Sequence, residues 1–172
     1  MEENTKTTKT VKPVKIPEDT LIIVKSGYYG TLYFLNKKTG QMFKWAGCGD
    51  IQLLTMSDLV ALRGDCQNFF KNQLIIIVGV NESSDCKAST SDIYKALAVS
   101  HFYKDIIDPD NFDVVCSWSA DEISSRVKML SSGAKDNLIV ALNKFIQDGT
   151  LDSRKKIKEF EKALDCELLE NK

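Results

Sequence analysis

At 172 residues the chain is long for one compact domain and sufficient for two small ones, and its 43% apolar content is ordinary for a globular protein. Lysine and arginine total 23 against 24 for aspartate and glutamate, so the formal charge of -1 offers no net attraction for a phosphate backbone or an anionic lipid. Nucleic acid and membrane are therefore not the default partners, and the longest apolar run, Leu74 to Val78, is far short of the roughly 20 residues needed to span a bilayer.

From Thr5 to Ile16 the chain carries Lys6, Lys9, Lys12 and Lys15 among threonines with no acid, and Pro17 follows. Residues 1–19 read as a flexible arm, either a solvated tail or a segment that orders on a neighbouring subunit.

Strand chemistry follows. Thr20 to Val24, Thr31 to Leu35 and Gln41 to Trp45 are β-branched or aromatic and are separated by glycine-bearing turns, the first bracketed by Gly27 and Gly30. Asn36 to Gly40 has the length and composition of a hairpin connection in which Gly40 supplies a positive φ. After Gly47-Cys48-Gly49-Asp50 comes a fourth strand, Ile51 to Thr55. A helix is expected over Met56 to Cys66, capped by Thr55 or Ser57. Leu74 to Val78 is apolar at every position, the pattern of a strand buried on both faces. The expected product is a curled or barrel-like sheet of about five strands with one inserted helix, spanning residues 20–80.

Residues 81–89 are polar and turn-rich and read as a linker. Beyond them, over residues 90–169, apolar residues recur three and four apart, in segments expected at Ser91 to Ile106, Ser119 to Ser132, Ala134 to Asp148 and Ser153 to Leu164, with a short one after Pro109. Ser119 with Glu122 forms a capping box, and Gly133 and Gly149 stand where helices end in glycine. The stripes Ile123/Val127/Leu130, Leu138/Leu142/Phe145 and Ile157/Phe160/Leu164 suit a bundle of short helices. The fold class is α+β, with the β-rich part first and the helical part after it.

Residues that carry chemistry are sparse. The single histidine, His101, has Leu97 and Asp105 at helical spacing and no neighbouring nucleophile. Cys48, Cys66, Cys86, Cys116 and Cys166 are scattered without a C-x-x-C pair, which fits free thiols in a reducing compartment better than a disulfide framework or a zinc site. Gly27-x-x-Gly30 lies between strands and is followed by no P-loop lysine, so it reads as a turn. Asp121-Glu122 and Asp108/Asp110 sit at helix starts and complement the dipole there. Arg154, Lys155, Lys156 and Lys158 open a last helix whose later turns are acidic, the pattern of a solvated surface. No catalytic set, metal site or cofactor is expected.

Six aromatic residues fall between Tyr28 and Trp45, interleaved with lysines, and alternation puts Phe43 and Trp45 on one face. Tyr28, Tyr29, Tyr33, Lys37, Lys38, Phe43 and Trp45 are the candidate partner-binding residues, with the arm lysines as a second element. The alternatives are core, a protein interface, or a single-strand-binding surface using Lys25, Lys37, Lys38 and Lys44 with Tyr28 and Tyr33.

Gly27-Tyr28-Tyr29-Gly30-Thr31-Leu32-Tyr33, Lys38-Thr39-Gly40, Trp45, Gly49-Asp50 and Phe69-Phe70 together resemble small, mostly uncharacterised proteins encoded among the structural genes of tailed bacteriophages of Gram-positive hosts. The helical half is similar through Tyr103-Lys104, Ser131 to Lys135 and Asp148 to Ser153, so the likeness covers about Leu21 to Leu169. Ala46-Gly47-Cys48 and Gln73 depart from that pattern and mark a divergent member. The resemblance implies a non-enzymatic virion or assembly component, located in the particle and, during assembly, in the host cytoplasm. Its partners would be capsid, neck or tail proteins and copies of itself. A nucleic-acid-binding module is the competing reading.

Overall fold

The structure is a computed structural model that describes residues 15–103, 107 and 109–168. Strands occupy the N-terminal part and helices predominate after it, an α+β arrangement in the expected order. The elements are β1 (Leu21–Ser26), β2 (Leu32–Leu35), β3 (Met42–Trp45), β4 (Ile51–Thr55), α1 (Met56–Asp65), α2 (Asn68–Lys71) and β5 (Ile75–Val80). There follow α3 (Thr90–Ala96), two 3₁₀ segments (Ser100–Phe102 and Pro109–Ser117), α4 (Ala120–Met129), α5 (Ser132–Gln147) and α6 (Arg154–Leu164).

The strands do not form one curled meander. β1 lies between β4 and β5 in a three-stranded antiparallel sheet, while β2 pairs with β3 alone in a separate hairpin. Leu32, Phe34, Phe43 and Trp45 of the hairpin share one buried core with Ile22, Val24, Leu54, Ile75 and Ile77 of the sheet. The Trp45 indole N–H donates to the Val24 carbonyl at 3.1 Å, beside the point where the β1–β5 register shifts. Burying such large side chains contributes about 1.5–3 kcal/mol each, and this packing, with the Trp45–Val24 bond, holds the hairpin against a sheet with which it shares no ladder.

β5 departs from its expected burial on both faces. Ile75 and Ile77 are buried in the first core, whereas Ile76 is half-buried and Val78 is 46% exposed, so the strand is fully covered on one face only. The open edge of β5 is closed by side chains instead: the Ile77 N–H donates to Tyr94 Oη at 2.9 Å, and Tyr103 Oη donates to the Ile75 carbonyl at 2.7 Å.

Helix starts follow local chemistry. Thr55 with Asp58, Ser89 with Asp92 and Ser119 with Glu122 all form capping boxes, and Ser131 caps α5. The helix expected over 91–106 ends at Ala96, since Ala98 adopts φ 55, and its far end falls at 104–106, outside the described residues. Gly133 is not a helix terminator. It lies in the first turn of α5, whereas Gly149 does take the left-handed conformation after α5, with φ 80.

Residues 81–89 are tied down at both ends, by Asn81 N–H to the Leu21 carbonyl (2.8 Å) and by the Ser89 cap. The Leu21 N–H also donates to Ser84 Oγ (3.0 Å). The change of core comes later than this segment: Ile93, Tyr94, Leu97 and Val99 pack with the strands, and the second core begins with Phe112 and Val115 and runs through α4, α5 and α6.

Candidate interaction surface

The hairpin register sets two faces. Leu32 opposite Trp45 and Phe34 opposite Phe43 point inward, with Phe34 and Phe43 stacked at 6.0 Å. Tyr33 opposite Lys44 and Leu35 opposite Met42 therefore point outward, as strand alternation requires. Tyr33 is 56% exposed, Leu35 48% and Met42 64%. The Lys44 ammonium stands 5.6 Å from the Tyr33 ring centroid, a cation–π contact, and Lys37 and Lys38 are exposed in the turn that closes the hairpin. The turn itself is rigid: Asn36 Oδ1 accepts from the Lys38 N–H at 3.0 Å, and Gly40 has φ 73.

Of the sequence candidates, Tyr33 thus lies on this outer face, with Lys37 and Lys38 exposed in the adjoining turn. Lys44, a residue of the competing nucleic-acid reading, joins them. Phe43 and Trp45 do share a face, but it is the buried one, so they serve the core and not an interface. Tyr28 is half-buried, its ring folded over Gly30 so that a Cβ there would lie 2.4 Å from Tyr28 Cε1. Tyr29 sits edge-on to Phe112 and Phe145 at 5.4 and 5.5 Å, with the Lys144 ammonium 5.1 Å from its centroid. Burial, reinforced by neighbouring Cys48, pushes its phenol pKa upward. It is partly buried and packs against the second core. Lys6, Lys9 and Lys12 fall outside the described residues. Lys15 is exposed, but Ile16 packs on the first core and the Ser57 N–H donates to the Glu18 carbonyl at 3.0 Å, so the last residues of the expected arm are anchored.

Leu35 and Met42 are absent from the sequence candidates, although the alternation that places Phe43 and Trp45 together also places these two opposite. The signal lies in the period, and aromatic character masks it.

Elsewhere the titratable groups have structural employment. Lys156 of the basic run donates to the Cys116 carbonyl at 2.7 Å. The Cys116 thiol is pushed up to about 11 by burial and then by Asp113, which keeps it protonated and weakly nucleophilic at neutral pH. Hydrogen bonds from Ser119 hold the Glu122 carboxyl below its ordinary range. His101 is exposed and lies against the Phe102 ring at 3.8 Å. A cavity of about 240 Å³ between the end of α5 and α6 is lined by Ile146, Leu151 and Ile157 together with Asp152, Arg154, Lys158 and Glu161. Glu161 there already accepts the Leu168 N–H at 3.0 Å. Among the described residues, no helix is long and apolar enough to cross a membrane.

No known protein family, characterised protein or solved structure matches this chain.

Proposed function

We propose that the chain is a non-enzymatic structural or assembly component of a tailed-phage particle, docking on other virion proteins through the outer face of the β2–β3 hairpin. The observation that carries the reading is that face. Three large apolar side chains stand in water on a rigid two-stranded platform whose other side is fully committed to the core. A monomer gains nothing by that exposure, whereas an interface uses it: the Tyr33 ring buries area at low entropic cost, and Met42 is flexible enough to fit the partner's shape. The resemblance to proteins encoded among phage structural genes gives the platform its setting. A particle component needs such a surface and needs no catalytic constellation.

The test is the protein content of purified particles. The chain is expected there at a stoichiometry of several copies, recoverable after extensive washing. Its absence from particles and from assembly intermediates would remove the proposal.

A further inference from the structure

Resting on that reading, we infer that the hairpin platform recognises an acidic protein segment in which carboxylates flank aliphatic side chains. Charge and shape both argue for this. Residues 31–45 carry Lys37, Lys38 and Lys44 and not one aspartate or glutamate, in a chain whose overall charge is -1. Two acids bonded to the hairpin or its flank are hydrogen-bonded within the fold. Asp58 is buried beneath the hairpin, with Oδ1 on the Asn36 amide at 2.7 Å and Oδ2 on the Thr55 N–H at 3.0 Å. Asp50 accepts the Ala46 N–H at 2.8 Å and the Ile51 N–H at 2.9 Å. The outer face is thus a local cationic field around an apolar centre of Tyr33, Leu35 and Met42.

Such a surface selects against its competitors. Single-stranded nucleic acid needs a run of exposed rings on which successive bases stack, each worth about 1–3 kcal/mol. Here Tyr33 is the one hairpin ring turned outward, and Lys44 already stands over it. Leu35 and Met42 would gain nothing from a base edge or a phosphate. They do gain from aliphatic side chains, and methionine in particular adapts its shape to the partner. Lysines at the turn and at Lys44 then steer and register the partner's carboxylates, an effect that weakens as salt shortens the screening length.

The test uses the full chain, with a fluorescently labelled peptide of alternating glutamate and leucine as probe, read by anisotropy and by amide shifts in the ¹⁵N spectrum. The expected result is saturable binding that shifts the resonances of residues 33–44. Two variants, Lys37→Glu/Lys38→Glu/Lys44→Glu and Leu35→Ser/Met42→Ser, should each weaken binding by about tenfold or more, and added salt should weaken it further. All five side chains are exposed, and both variants should keep the wild-type melting temperature. Parallel titrations use oligothymidylate and phosphatidylglycerol vesicles. Binding of oligothymidylate tighter than the peptide, lost in the charge variant and kept in the Leu35→Ser/Met42→Ser variant, would overturn the inference in favour of nucleic acid. Tighter binding to vesicles would overturn it in favour of a membrane, and failure of the peptide to bind would overturn it outright. These outcomes are separate from the particle assay: a chain present in particles that ignores the peptide loses this inference alone, and a chain that binds the peptide but is absent from particles loses the virion reading alone.

Discussion

The side-chain amide of Asn137, in α5, donates to the backbone carbonyl of Gly27 at 2.6 Å, joining residues 110 positions apart. Around this bond the second core meets the end of β1: Ile76, Ile107, Phe112 and Ala134 line the same contact, and Tyr29 reaches across it to Phe112 and Phe145. Gly27 is itself tightly enclosed, since a Cβ at this position would stand only 3.0 Å from the Gln73 carbonyl oxygen. A polar group sealed in such a place is costly without a partner, so the hydrogen bond fixes how the helices sit on the strands.

Asn137→Ala should therefore destabilise the whole chain by about 1–3 kcal/mol, the cost of leaving a buried carbonyl unsatisfied, offset in part because it also removes the buried, unpartnered Asn137 Oδ1. Asn137→Asp should cost more, because it sets a carboxylate against a carbonyl in a buried site. Urea denaturation of the three proteins checks both, and an Asp variant as stable as wild type would contradict the geometry.

Gly133 tests the same joint from the steric side. A Cβ there would fall 2.4 Å from Asn72 Cα, a backbone atom that cannot step aside, so Gly133→Ala should cost about 1–3 kcal/mol through forced displacement. Gly64 lies within α1 with open space where a Cβ would go, and Gly64→Ala should stabilise by about 0.4–1 kcal/mol. Opposite signs for two identical substitutions are the measurable outcome in thermal unfolding.

The tyrosine pair on β5 predicts an alkaline limb. Tyr94 and Tyr103 stack at 4.3 Å, and burial raises both phenols, Tyr94 to about 12 and Tyr103 well above its ordinary value, with Tyr94 adding to the latter. A phenol whose pKa is higher in the folded than in the unfolded chain favours folding while it is neutral. Its contribution is complete below the unfolded value near 10 and is lost as pH rises toward 12. Stability should fall across that window, and Tyr94→Phe should flatten the fall while lowering stability at neutral pH by about 1–3 kcal/mol through the orphaned Ile77 N–H. Absorbance titration of the phenolates alongside unfolding at each pH reads both effects.

How much of the fold is legible in the sequence depends on whether the cause is local. The capping box at Ser119 and the left-handed turn at Gly149 are written in adjacent residues, and both are where the pattern places them. Alternation puts Phe43 with Trp45 but does not say which side of the hairpin faces the core. That is decided by Val24 and the other β1 residues, which lie some twenty positions away. The pairing of β1 with β4 and β5 in place of β2 is likewise a long-range choice, made by packing that no turn residue announces. Gly133 looks like a helix stop after Ser131-Ser132, yet its absent side chain answers to Asn72. The outer face of the hairpin is half legible: Tyr33, Lys37 and Lys38 stand out in the sequence, while Leu35 and Met42 follow from register once β2 and β3 are paired.

The hairpin is held to the rest of the fold at its turn by Asn36, whose amide donates to Asp58 Oδ1 at 2.7 Å, both residues being buried. Asp58 simultaneously closes the α1 capping box through Thr55, so one carboxylate joins the hairpin tip, the end of β4 and the start of α1. Asn36→Ala removes two bonds, that to Asp58 Oδ1 and that from the Lys38 N–H, and leaves the carboxylate oxygen buried without this partner, a loss of about 1.5–3 kcal/mol. The loss should be local as well as global: amide exchange should quicken over residues 32–45 more than in β1, because the hairpin is then held by its inner-face packing and the Trp45–Val24 hydrogen bond without the tie at its turn. If the platform works as a preorganised surface, the same variant should also bind the acidic peptide more weakly without any change to an exposed side chain, since binding would then have to order the hairpin as well. Uniform exchange across the strands with unchanged peptide affinity would show that Asn36 contributes stability alone.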